Sequence, residues 1–206
     1  MGGLFWWYES LIGVKCIASQ CSPLLDQTKI LQFKILHRII GTNDYLFKIG
    51  YVDSNLCTFC NEECEDIPHL FWSCRGTLNF WSDVQSTVFK KQVNLTLKDI
   101  ILGILELENH VFNFVILHGK QYIFNARTSK QPLDITAFKR ILKDIYSLEK
   151  HIAIRNNKVN ACDRKWGYIN TSWFLCVQEY LCNFKWIKLF YMLIYFLCVR
   201  HVGRTK

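Results

Sequence analysis

The stretch Cys57-Thr58-Phe59-Cys60-Asn61-Glu62-Glu63-Cys64-Glu65-Asp66-Ile67-Pro68-His69-Leu70-Phe71-Trp72-Ser73-Cys74 decides how this chain is read. Two residues separate Cys57 from Cys60, eight separate Cys60 from His69, and four separate His69 from Cys74. Cysteines three positions apart on a tight turn present both sulfurs to one tetrahedral ion, and a His/Cys pair five apart closes the site from the start of a helix. Four protein ligands leave no open position, so the spacing predicts a structural site. Thiolate and imidazole match the softness of zinc, which makes zinc the expected cofactor. A redox reading of Cys-x2-Cys would need a neighbouring βαβ pattern, and the sequence has none.

Cys64 leaves the register open. Cys60, Cys64, His69 and Cys74 form a second quartet, close to the spacing of a retroviral zinc knuckle. The usual two-residue gap favours Cys57, Cys60, His69 and Cys74, with Cys64 a spare thiol among Glu62, Glu63, Glu65 and Asp66. Leu70, Phe71 and Trp72 read as the small apolar core that a metal module needs; stacking on single-stranded bases is their other use.

Outward from this window the pattern is helical. Leu31, Ile35, Leu36, Ile39 and Ile40 form one stripe of a helix over 23–40, ended by Gly41. Thr42-Asn43-Asp44 caps a short helix through Lys48 that stops at Gly50. After the window, Leu78, Phe80, Trp81, Val84 and Val88 predict a helix, residues 97–107 another, and 109–127 a well-buried one with a cationic end. Phe138, Ile141, Leu142, Ile145, Leu148 and Ile152 line one face of a helix over 136–158, opposite Lys139, Lys143 and Lys150. The expected fold class is mainly α: a helical domain with a small Cys3His zinc-knuckle-like insert.

The 206 residues are half hydrophobic with only 3 prolines, which excludes a disordered or collagen-like chain. Ten cysteines fall below the density of a disulfide scaffold, and the first residues lack a basic secretory n-region, so the nucleus or cytoplasm is expected. The net charge of +8 favours polyanionic partners. Residues 120–166 hold eleven basic side chains against four acids. Lys120, Arg127, Lys139, Arg140, Lys143 and Lys150 are the expected nucleic-acid contacts there, engaging RNA or DNA through phosphate with low sequence specificity.

Several motifs together resemble the C-terminal zinc-binding region of reverse transcriptases from non-LTR (LINE-type) retrotransposons. They run from Phe33-Lys34-Ile35-Leu36-His37-Arg38, through Thr42-Asn43 and Leu46-Phe47-Lys48-Ile49-Gly50, to Cys57-x2-Cys60. The likeness continues in Glu65-Asp66-Ile67-Pro68-His69-Leu70-Phe71-Trp72-Ser73-Cys74 and Phe80-Trp81, then more weakly to Trp166. It implies a nucleic-acid-binding appendage of a retroelement polyprotein. No Tyr-x-Asp-Asp polymerase motif and no endonuclease acidic cluster occurs, so the chain is expected to be a non-enzymatic remnant with no small-molecule substrate.

The expected organisation is an apolar lead-in (1–22), the zinc-binding domain (23–90), a basic helical region (91–168) and an apolar C-terminal segment (169–206). That last segment carries an eleven-residue apolar run, Leu189 to Val199, short of the roughly 20 residues needed to span a bilayer. Extending it upstream takes in Glu179, Lys185 and Lys188. A membrane helix is the alternative reading of this segment, and a protein-interaction module with a purely structural zinc is the alternative function.

Overall fold

A computed structural model describes residues 23–104 and 110–170, together with Ser172. The lead-in and the apolar C-terminal segment, whose alternative reading is a membrane helix, lie outside the described residues, apart from 169, 170 and 172. Seven α-helices and one π-helical turn make up the described chain, and no strand is present among these residues. The helices are α1 (Pro23–Leu36), α2 (Asn43–Lys48), α3 (Arg75–Thr87), α4 (Leu97–Leu102), α5 (His110–Ser129), α6 (Ile135–Arg155) and α7 (Val159–Trp166); the π-turn is His69–Ser73. The mainly α expectation holds. Among the described residues no helix is long and apolar enough to cross a membrane.

Helix α5 is the centre of the fold. Every residue from Val111 to Lys120 is buried, so this half-helix has no solvent face and must be covered on all sides. Helix α1 covers one side with Leu31 and Ile35, α3 another with Phe80, Trp81 and Val84, and α6 and α7 add Phe138, Leu142 and Trp166. Phe80, Tyr122 and Phe138 meet at centroid distances of 5.2 to 5.6 Å, joining α3, α5 and α6. The zinc window and the later helices therefore share one core.

The closest approach in that core requires a glycine. A Cβ on Gly119 of α5 would lie 2.5 Å from Cη2 and 2.9 Å from Cζ3 of Trp81. The indole is held in place by its Nε1–H, which donates to the carbonyl of Phe71 at 2.8 Å. Trp81 thus links the π-turn to α5.

Local signals set the helix ends. Thr42 caps α2, Thr96 and Asp99 form a reciprocal capping box on α4, and Asp134 caps α6 by accepting from Thr136 and Ala137. Gly103, at φ +91°, ends α4, so the helix expected to run to 107 stops at Leu102. Helix α1 also ends early, before Gly41. The Arg38 N–H donates to Ile35 and the Ile39 N–H to Lys34, while Arg38 sits at φ +55°, a Schellman end with arginine in place of glycine. Asn157, at φ +54°, breaks the expected 136–158 helix after Arg155 and starts α7, which periodicity did not predict. In the α6 stripe Phe138 and Leu142 are buried, but Leu148 is 49% exposed. Past α7 the chain returns to pair Ile169 with Phe89.

Candidate metal centre

The window folds as a turn followed by a helix start. The Cys57 N–H donates to Glu63 and the Glu65 N–H to Asn55, with Leu56 bridged to Cys64, so the segment closes on itself like a miniature hairpin. At its tip Asn61 takes φ +56° and donates its N–H to the Cys57 carbonyl at 2.8 Å, which turns Cys60 back beside Cys57. Asparagine tolerates this left-handed conformation better than most residues.

The second pair comes from the π-turn. Residues five apart on an α-helix stand about 140° apart around the axis and cannot share a ligand. Here the Cys74 N–H donates to the His69 carbonyl at 3.0 Å, an i→i+5 closure that widens the turn and brings both side chains to one side. Asp66 starts this segment by accepting from the His69 N–H at 2.7 Å. Cys74 is then the N-cap of α3.

The four ligand atoms of Cys57, Cys60, His69 and Cys74 lie within 4.8 Å of one another. A tetrahedral zinc with Zn–S near 2.3 Å and Zn–N near 2.05 Å requires about 3.8 Å between sulfurs and about 3.6 Å between sulfur and nitrogen. Cys57 Sγ and Cys74 Sγ are 3.7 Å apart, and Cys60 Sγ is 3.4 Å from His69 Nε2. Cys57 and Cys74 are fully buried, His69 nearly so and Cys60 half-buried. The donor set fits zinc in a closed, water-poor site of structural type.

The electrostatics point the same way. The Cys57–Cys74 contact lowers the Cys74 thiol below the usual range and, with burial, pushes Cys57 well above it. Metal binding requires deprotonated thiolates, and two sulfurs this close are the arrangement a divalent cation would satisfy. Backbone N–H groups of Gly76 and Thr77, at the start of α3, also favour a Cys74 thiolate, and the N–H of Phe59 reaches Cys57 Sγ at 3.4 Å. His69 Nδ1 lies 3.0 Å from Glu63 Oε2, though not aligned as a hydrogen bond. With a carboxylate behind Nδ1, Nε2 is the nitrogen that faces the sulfurs.

Cys64 stands outside this cluster. It is exposed and contacts Asp44 and Asn55, so the quartet containing Cys64 is not the one brought together.

The basic residues fare differently. Lys120, expected to contact phosphate, is buried: it donates to Gln32 Oε1 and, at 2.8 Å, to the Ile100 carbonyl. Helix α5 is covered on every side at that point, so this amine holds α1 and α4 together and cannot reach a phosphate. Arg127 is also turned inward, pairing through Nε with Glu65 Oε1 at 2.8 Å and through Nη2 with Asn43 Oδ1 at 2.6 Å. Lys150 is paired with Asp163 of α7. Arg140 is exposed, and Lys139 and Lys143 are half-buried on the same helix.

Sequence reasoning missed Glu65. Its carboxylate is fully buried and accepts from the Asn43 N–H (3.0 Å), the Thr58 N–H (2.9 Å) and Arg127. It fastens the start of α2, the cysteine turn and the end of α5 at one point. Its place in an acidic run gave no sign of this, because its partner is 62 positions away.

Residues 19–81 match the family model described as zinc-binding in reverse transcriptase. The match spans less than a third of the chain and includes all four clustered residues. No curated protein and no solved structure matches the chain. The closed Cys3His geometry and the matched stretch agree on zinc as the cofactor, held within a segment similar to the zinc-binding domain of reverse transcriptases.

Proposed function

We propose that this chain is a non-catalytic, zinc-stabilised nucleic-acid-binding appendage of a non-LTR retrotransposon reverse transcriptase, acting in the nucleus or cytoplasm. The observation that carries the reading is the Cys3His cluster inside the matched stretch, whose four protein donors leave no open position on a tetrahedral ion. A zinc-binding domain (23–90) and a basic helical region (91–168) then have distinct roles, the first as scaffold and the second as phosphate contact. Lys139, Arg140 and Lys143 on α6 supply the contact from the expected set, and Lys130, Arg155, Lys158 and Arg164 are further exposed cations of the same region. Arginine and lysine at a surface of this kind engage phosphates without reading sequence.

The test is a salt titration of single-stranded RNA and DNA binding by the zinc-loaded chain, repeated after chelation. Binding that weakens steeply with salt and is lost with the metal is the expected result. No binding to either strand at low salt removes the nucleic-acid reading and leaves a protein-interaction module whose zinc only holds the fold.

A further inference from the structure

The end of α1 carries a surface that the zinc site does not use. Phe33 is 44% exposed, His37 is exposed, and their ring centroids lie 4.1 Å apart with a 41° tilt. They are four positions apart, so they occupy one ridge of the helix. Lys34, on the last turn of α1, and Arg38, in the turn that ends the helix, are both exposed as well. Among the described residues neither cation makes an ion pair. No acidic residue occurs between Asp26 and Asp44, whereas Lys29, Lys34 and Arg38 all fall in that interval.

We infer that this face is a stacking platform for single-stranded nucleic acid, in which Phe33 and His37 take up unstacked bases while Lys34 and Arg38 contact the adjoining phosphates. Exposed rings with exposed cations next to them in the chain are what a single strand requires, since its bases offer π-faces and its backbone offers charge. A duplex keeps its base faces stacked and offers nothing to Phe33. A protein partner would favour a face with charge depleted from its centre, and here Lys34 and Arg38 are exposed and follow Phe33 and His37 directly in the chain.

Arg38 ends α1 at φ +55°, a conformation in which glycine is the usual residue, so replacing it with glycine removes the cation without straining the backbone. The inference rests on the nucleic-acid reading above and places its base contacts on α1, separate from the cations of α6.

The experiment uses the full, zinc-loaded chain and fluorescence anisotropy with labelled 15-nucleotide oligo(U) and oligo(dT), in a salt series. Phe33→Ala should weaken binding about 5- to 150-fold, the range for loss of one stacked base, with the salt slope unchanged. Phe33→Trp should restore it. Arg38→Gly should match or exceed the wild-type chain in urea resistance yet bind more weakly, with a salt slope lower by about 0.7. Equal effects on RNA and DNA mean the platform reads bases alone; loss with RNA only adds contacts to the 2′-hydroxyl. Wild-type binding that is unchanged by both Phe33→Ala and Arg38→Gly overturns the platform while leaving the α6 surface in place. Absence of binding by the wild-type chain overturns both.

Discussion

Replacing Gly119 with alanine sets two effects of opposite sign against each other, and the structure decides between them. Alanine is favoured over glycine in a helix interior by about 1 kcal/mol, so on α5 alone the change stabilises. The added Cβ, however, would meet Trp81 at 2.5 and 2.9 Å, an overlap of about 1 Å against the ~3.5 to 4.0 Å optimum for carbon pairs. Overpacking of a tight core costs about 1–3 kcal/mol. The indole cannot tilt away freely, because doing so breaks its hydrogen bond to Phe71 and leaves two buried polar groups unpaired, a further ~1–3 kcal/mol. The net expectation is a loss of about 1–5 kcal/mol, read as a lower urea midpoint by far-UV circular dichroism on the zinc-loaded chain. Trp81→Phe removes the ring atoms that collide, so in the double variant the Gly119→Ala penalty should fall by at least about 1 kcal/mol relative to its cost alone. A neutral or stabilising Gly119→Ala, or a penalty unchanged in the Trp81→Phe background, would show that α5 does not pack on this indole.

Cys57→Ser should abolish stoichiometric zinc binding while Cys64→Ser retains it, measured by metal content after gel filtration; the reverse pattern would move the ligand set to Cys64. Arg127→Ala should destabilise by about 3–5 kcal/mol, because it strands the buried Glu65 carboxylate, and adding Glu65→Gln should recover part of the loss in the same melt. Burial pulls the Lys120 amine down to about 7, against about 10.4 in an unfolded chain. Between those values the unfolded state binds the extra proton, so stability should rise with pH from about 7 upward, and Lys120→Met should flatten that rise. A slope that persists unaltered in the variant would assign it to another group.

Much of the architecture was legible because its signals are local. Thr42 announces a helix start, and the cysteine spacing carries its own turn chemistry within eighteen residues. The errors came where a local rule met a tertiary one. Gly41 looked like the stop of α1, yet the chain turned earlier at Arg38, and the regular stripe of α6 continued past the point where the core ends, leaving Leu148 in solvent. The basic residues misled for the same reason. Lysine and arginine look alike in sequence whether they face water or a buried acceptor, and the acceptors of Lys120 and Arg127 include groups 88 and 62 positions away.

The sequence by itself determined the helical class, the zinc chemistry and the identity of a Cys3His donor set, because periodicity, capping and ligand spacing act over a few residues. Only the tertiary structure decided that Cys57 rather than Cys64 joins the cluster, that Glu65 and Arg127 form a buried clamp, and that Gly119 must remain bare beside Trp81. Those outcomes depend on which distant groups share a volume, and a burial cost or a steric overlap exists only once the helices have been brought together.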